Sequence, residues 1–140
     1  MPYEVVGSAE DTEQQFYEAM QQGDIEKLMA VWSDDDEIVC VHPGASRVVG
    51  PVAIRAAYAG IFANGAIDVR PERRRCLQMH GAAVHSVVEH VQVGRQSAWV
   101  IATNVYVKTA QGWRLVAHHA SPGSPSDLQE IVETASSVLH

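Results

Sequence analysis

Nowhere in the 140 residues is there an uninterrupted apolar run of about eighteen, the length a helix needs to cross a bilayer. The start, Met1-Pro2-Tyr3-Glu4, lacks the basic segment and apolar core of a secretory signal. These two absences lead to the expectation of a cytoplasmic protein with no membrane association. Cysteine is scarce. Cys40 and Cys76 are the only two, and they form no Cys-x-x-Cys pair, so a redox or zinc-cysteine reading has no support and both are expected to be reduced. Positive charge is scarce too: 10 basic residues face 17 acidic ones, and the net charge of -7 argues against nucleic acid as a partner. The one basic run, Arg70 to Arg75, is interrupted by Pro71 and Glu72 and reads as a solvated strand rather than an anion patch. Repeats, linkers and low-complexity segments are missing, so residues 1–140 are expected to form a single domain.

What is present has clear periodicity. Ser8, with Asp11 three residues on, resembles the cap of a first helix whose face carries Phe16, Ala19 and Met20. Gly23 ends that helix and Asp24 caps the next, where Ile25, Leu28, Met29 and Trp32 fall on one stripe. Ser33-Asp34-Asp35-Asp36 stops it. The three acids read as a solvated turn, because adjacent side chains point in different directions. Val39-Cys40-Val41-His42 alternates as a strand does, and Pro43-Gly44 turns the chain. Gly50-Pro51 starts a third helix with Ile54, Ala57, Tyr58, Ile61 and Phe62 on its apolar face, ended by Asn64-Gly65. Four strands follow, near Ile67–His80, Ala83–Val93, Gln96–Lys108 and Trp113–Ser121, with hairpin links at Gly94-Arg95 and Thr109–Gly112. A last helix is expected over Ser126 to Leu139. The order predicts an α+β fold with helices on one face of an antiparallel sheet.

The hairpins also predict which residues share a face. A two-residue turn at Gly94-Arg95 sets His85 opposite Asn104 and Glu89 opposite Val100. A four-residue loop before Trp113 sets Asn104 opposite Ala117 and Ala102 opposite His119. One face then carries His85, Glu89, Ala102, Asn104, Tyr106 and His119, with small residues at its centre, as a cavity wall would. The other carries Val88, His90, Trp99, Ile101, Val105 and His118, flatter and β-branched, as a dimer interface would. A one-residue bulge in either hairpin would exchange the faces beyond it.

With these features the chain resembles the nuclear transport factor 2-like superfamily, in its SnoaL-like and ketosteroid-isomerase-like branch. The resemblance rests on Gln22-Gly23-Asp24-Ile25, Val31-Trp32-Ser33-Asp34, Val41-His42-Pro43-Gly44, Val49-Gly50-Pro51-Val52-Ala53-Ile54-Arg55 and Gly112-Trp113-Arg114-Leu115-Val116, and covers nearly the whole chain. It implies a cone: a curved sheet wrapped around a pocket, closed by the N-terminal helices, and a homodimer through the outer sheet face. The family's catalytic base falls at His42, and one of its two oxyanion donors falls at Asn104. Phe16 takes the place of the other donor, a tyrosine, with Tyr17 adjacent, which argues against steroid isomerisation itself.

His42, Asn104 and Glu89 are therefore the candidate catalytic residues. His42 is a pocket acid/base or a structural histidine at a turn. Asn104 is a donor to a developing enolate oxygen or an amide satisfied inside the sheet. Glu89, an acid on an apolar face, is paired with His85 or His119 or else protonated. Phe16, Tyr17, Trp32, Tyr58, His85 and His119 are candidate substrate-binding residues. No cofactor is implied, and no dedicated metal site is read, although His42, His119, His85 and Glu89 together would suit zinc. The functional expectation is a homodimer binding a small apolar or aromatic ligand, an isomerase or lyase using acid/base chemistry on a small carbonyl or cyclic substrate. The alternative is a binding or assembly module without chemistry.

Overall fold

In a computed structural model, which describes residues 7–126 and 128–133, Ser8 opens helix α1 (Ala9–Gln22). Its side chain accepts from the Asp11 backbone N–H while the Asp11 carboxylate accepts from the Ser8 N–H, a reciprocal capping box. Gly23 closes α1 in the left-handed region at φ 64°, where a side chain is strained. Asp24 then caps the short α2 (Ile25–Met29) through the Lys27 N–H. The expected stripe is cut short at Trp32, which leaves the helix to bridge Leu115. Strands β1 (Val39–Val41) and β2 (Val48–Val49) lead into α3 (Pro51–Phe62), which begins at the predicted proline. The four long strands follow as β3 (Asp68–Met79), β4 (Ala82–Val93), β5 (Gln96–Thr109) and β6 (Gly112–Gly123).

They form one curved six-stranded sheet in the order β2-β1-β6-β5-β4-β3. It is antiparallel except where β1 lies parallel to β6, Cys40 beside His118, a pairing the antiparallel expectation did not include. Bulges in β3, between Glu72 and Arg75, and in β6, opposite Val105 and Tyr106, add curvature. The helices pack on the concave face. Phe16, Leu28, Ile54, Tyr58, Tyr106 and Leu115 are fully buried between the two layers.

Two expectations are corrected. The first hairpin has the predicted register, His85 opposite Asn104 and Glu89 opposite Val100. The second starts as predicted with Lys108 opposite Trp113, but the β6 bulge inserts a residue, so Asn104 faces His118 and Thr103 faces His119. His118 therefore turns inward and is buried, while His119 is exposed on the outer face. The last helix is not formed by residues 126 and 128–133, and the rest of its predicted span lies outside the described residues. Instead, this segment crosses the convex face: Leu128 packs beside Gly123, and its carbonyl accepts from Arg73.

Candidate functional site

The concave face and the helices enclose a cavity of about 360 Å³. Met20, Ile61, Val69 and Val100 give it apolar walls, and His42, Tyr58, Glu89 and His118 bring polar groups to it. That volume is at the small end of ligand pockets, which run from about 300 to 1,000 Å³. Two hollows of similar size, one between α1 and β3 and one beside Asn64–Asp68, have no comparable set of buried acid/base groups.

Each polar group is placed by a different element. His42 follows β1, edge-on to the Tyr58 ring at 4.8 Å, with Nε2 3.7 Å from Cys40 Sγ. Glu89 projects from β4 and accepts a hydrogen bond from the Tyr17 hydroxyl of α1 at 2.7 Å. Asn104 Nδ2 donates to Tyr17 Oη at 3.0 Å and to Glu13 Oε2 at 3.2 Å. With the amide nitrogen facing those acceptors, Oδ1 faces His118, 2.5 Å from Nδ1. An amide oxygen only accepts, so His118 carries its proton on Nδ1 and keeps Nε2 as a lone pair. The four side chains form a relay from β6 through β5 and α1 to Glu89.

Burial separates the protonation states. It pushes the Glu89 carboxyl up to about 7, with the Tyr17 hydrogen bond only partly offsetting it. It pushes His118 down to about 3 and lowers His42 as well, so both imidazoles are neutral at pH 7. The Cys40 thiol is driven up to about 11 by burial and is not a thiolate nucleophile.

Beneath the relay lies a carboxylate that sequence reasoning missed. Glu13 of α1 is fully buried and accepts from His85 Nδ1 at 2.9 Å, Tyr106 Oη at 2.6 Å, Asn104 and the Arg74 guanidinium. Burial alone would raise its pKa, but hydrogen bonds from His85 and Tyr106 and the nearby positive charge outweigh it and hold the carboxyl below its ordinary value. The available signal was positional: Glu13 shares the stripe of Ala9, Phe16, Tyr17 and Met20, all buried.

The predicted residues thus divide. His42, Glu89 and Tyr58 line the cavity, and Tyr17 touches Glu89. Asn104 is fully buried, its amide nitrogen engaged by Glu13 and Tyr17 and its oxygen by His118, and the residues that line the cavity do not include it. Phe16 is core, edge-on to Tyr17, Trp32, Tyr58 and His118. Trp32 borders a separate hollow with Pro51 and Arg55. His85 turns to Glu13, and the bulge turns His119 outward, so the four residues that would suit zinc do not converge. His118 takes the place expected of His119.

The sequence profile of the SnoaL-like domain matches residues 9–125. The chain belongs to the SnoaL-like domain family. Among solved structures, this SnoaL-like domain is similar to a Thiobacillus denitrificans protein provisionally assigned as a calcium/calmodulin-dependent protein kinase type II association domain, at 32% identity and TM-score 0.80, over 87% of this chain and 100% of that one. It is similar to a Streptomyces avermitilis protein of the NTF2-like family, provisionally assigned as a dehydratase, at 29% identity and TM-score 0.71, over 80% and 91% of the two chains. A provisionally assigned ketosteroid isomerase from Parabacteroides distasonis, at 18% identity and TM-score 0.70 over 86% and 92%, shares the fold. No curated protein matches the chain.

Proposed function

We propose that this SnoaL-like domain binds a small apolar or aromatic carbonyl compound in the cavity and moves a proton on it, as an isomerase or lyase. The observation that carries this reading is Glu89: a buried carboxyl that titrates near 7 on the wall of an otherwise apolar pocket. A base is most effective when its pKa lies near the working pH. Ionised Glu89, with Oε2 held by Tyr17, takes a proton from a carbon next to the substrate carbonyl through Oε1. The neutral His42 imidazole donates a ring N–H to the oxygen on which charge develops. Glu89 then returns the proton to another carbon, or passes it to a leaving hydroxyl in an elimination. The active unit is a homodimer joined through the convex sheet face.

The test is turnover of a panel of enones, cyclic ketones and β-hydroxy ketones, with ligand binding followed by thermal shift. Glu89→Gln should lose about 10²- to 10⁴-fold in kcat while holding product analogues within a few-fold, and His42→Ala should lose kcat as well. Folded variants with unchanged kcat would refute the assignment.

The second reading, an assembly module without chemistry, draws on the 32% identity to the provisionally assigned kinase association domain. It is favoured if no compound of the panel raises the melting temperature and a partner protein copurifies.

A further inference from the structure

The bulge in β3 has a chemical consequence away from the cavity. With unbroken pairing from Glu72 opposite Val88, Arg75 would stand opposite His85. The extra residue, centred on Arg73 at φ 52°, puts Cys76 there instead. Glu10, in the first turn of α1, lies over the same pair. A His85 ring nitrogen, Cys76 Sγ and a Glu10 carboxylate oxygen all lie within 4.8 Å of one another, and Nε2 is 3.9 Å from Glu10 Oε1.

His85 makes this more than a surface cluster. Its side chain is 0% exposed, and Nε2 has no hydrogen-bond partner among the described residues. Nδ1 faces Glu13 Oε2 at 2.9 Å, and a carboxylate accepts, so Nδ1 carries a proton toward it. Nε2 is then the ring atom left over, buried and turned toward Glu10 Oε1 at 3.9 Å. A buried ring nitrogen in this position calls for a partner. An imidazole anchored to a carboxylate through one nitrogen, with the other nitrogen free, is how proteins prepare a histidine for a metal.

We propose that His85 Nε2, Cys76 Sγ and the Glu10 carboxylate bind one zinc-class divalent cation, with Glu13 as the outer-shell carboxylate. The donor set selects the metal: imidazole and thiolate favour zinc over magnesium or calcium, which take oxygen ligands. One thiolate and one carboxylate neutralise a divalent charge. Arg74, the cation beside the thiol, is held on the other oxygen of Glu13. Zinc bond lengths place tetrahedral ligand atoms roughly 3.3–3.8 Å apart, so the widest separation must close by about 1 Å. Glu10 and Cys76 are exposed and can rotate to do this, while His85 stays fixed. The fourth position faces solvent and takes water. The ion would pin the first turn of α1 to β3 and β4, and so hold the helix that carries Glu13 and Tyr17.

The experiment uses the full chain, reduced and stripped with chelator, then titrated with Zn²⁺ alone, Mg²⁺ alone and Co²⁺ alone. The expected result is uptake of one Zn²⁺ per chain with a raised melting temperature, and a thiolate-to-cobalt charge-transfer band with Co²⁺. Cys76→Ser and Glu10→Gln, both at exposed positions, should each keep the fold and weaken Zn²⁺ binding at least about a hundredfold, the upper end of what loss of an outer-shell partner costs. Absence of stoichiometric uptake would overturn the proposal. So would Mg²⁺ binding as tightly as Zn²⁺, or Zn²⁺ uptake unchanged in the Cys76→Ser/Glu10→Gln double variant, which would place the ion elsewhere.

Discussion

Glu13 and Glu89 are two buried glutamates joined through Asn104 and Tyr17, yet they titrate in opposite directions. Four donors surround Glu13, and the charged form wins. Only the Tyr17 hydroxyl reaches Glu89 among the described residues, and desolvation wins. The difference gives Glu89 a measurable effect on stability. Its folded pKa of about 7 lies above the ordinary 4.5. Below pH 4.5 both folded and unfolded chains hold the proton, and the group is neutral for folding. As pH rises through 4.5 toward 7, the unfolded chain releases the proton first, and the native state loses stability. The loss approaches about 3 kcal/mol above pH 7, at roughly 1.4 kcal/mol per pH unit of separation. Glu89→Gln removes this dependence. Its urea midpoint should therefore gain on that of the wild type between pH 5 and pH 8, although Tyr17, Tyr58, His42 and His118 around it are unchanged. A constant difference between the two proteins across that range would mean that Glu89 titrates elsewhere.

At the scale of elements, much of the fold was legible because its signals are local. Ser8 and Asp11, Gly23 and Asp24, and Gly50 and Pro51 mark helix ends within three residues of sequence, and the Gly94-Arg95 turn alone sets the register of β4 against β5. What was not legible depends on single-residue insertions and on distant partners. The β6 bulge leaves no mark in Leu115-Val116-Ala117-His118, yet it decides which of two adjacent histidines enters the cavity. Glu13 looked like any helix-surface acid until Arg74, His85, Asn104 and Tyr106 came to it from β3, β4 and β5. The bulge can be tested by its consequence. His118→Ala removes a buried ring that donates to Asn104 and packs edge-on against Phe16 at 5.2 Å. It should cost about 2 kcal/mol or more, a large core deletion with a lost hydrogen bond. His119→Ala, at an exposed site, should stay within about 0.5 kcal/mol of the wild type. Equal costs, or the reverse order, would contradict the bulged register.

At the scale of the whole molecule, the sheet is covered unequally. The concave face lies under α1 and α3, but among the described residues only the segment around Leu128 crosses the convex one. Trp99, Ile101, Val105 and Val107 stand half-buried there, with Thr103 exposed between them. A broad β-branched surface with few charges is the composition of an interface core, which is the argument for the proposed homodimer. Val105 is the place to test it. It pairs with Val84 and Ala117 near the middle of the face, and it does not touch the cavity. A carboxylate at that position can stay hydrated in a monomer but would be desolvated against a partner copy, which costs several kcal/mol when unpaired. Sedimentation should find the wild type as a dimer at micromolar concentration and Val105→Glu as a monomer with the same circular dichroism. A wild type that sediments as a monomer would leave the cavity chemistry intact and remove the dimer from the proposal. A Val105→Glu variant that still dimerises would move the interface to another surface.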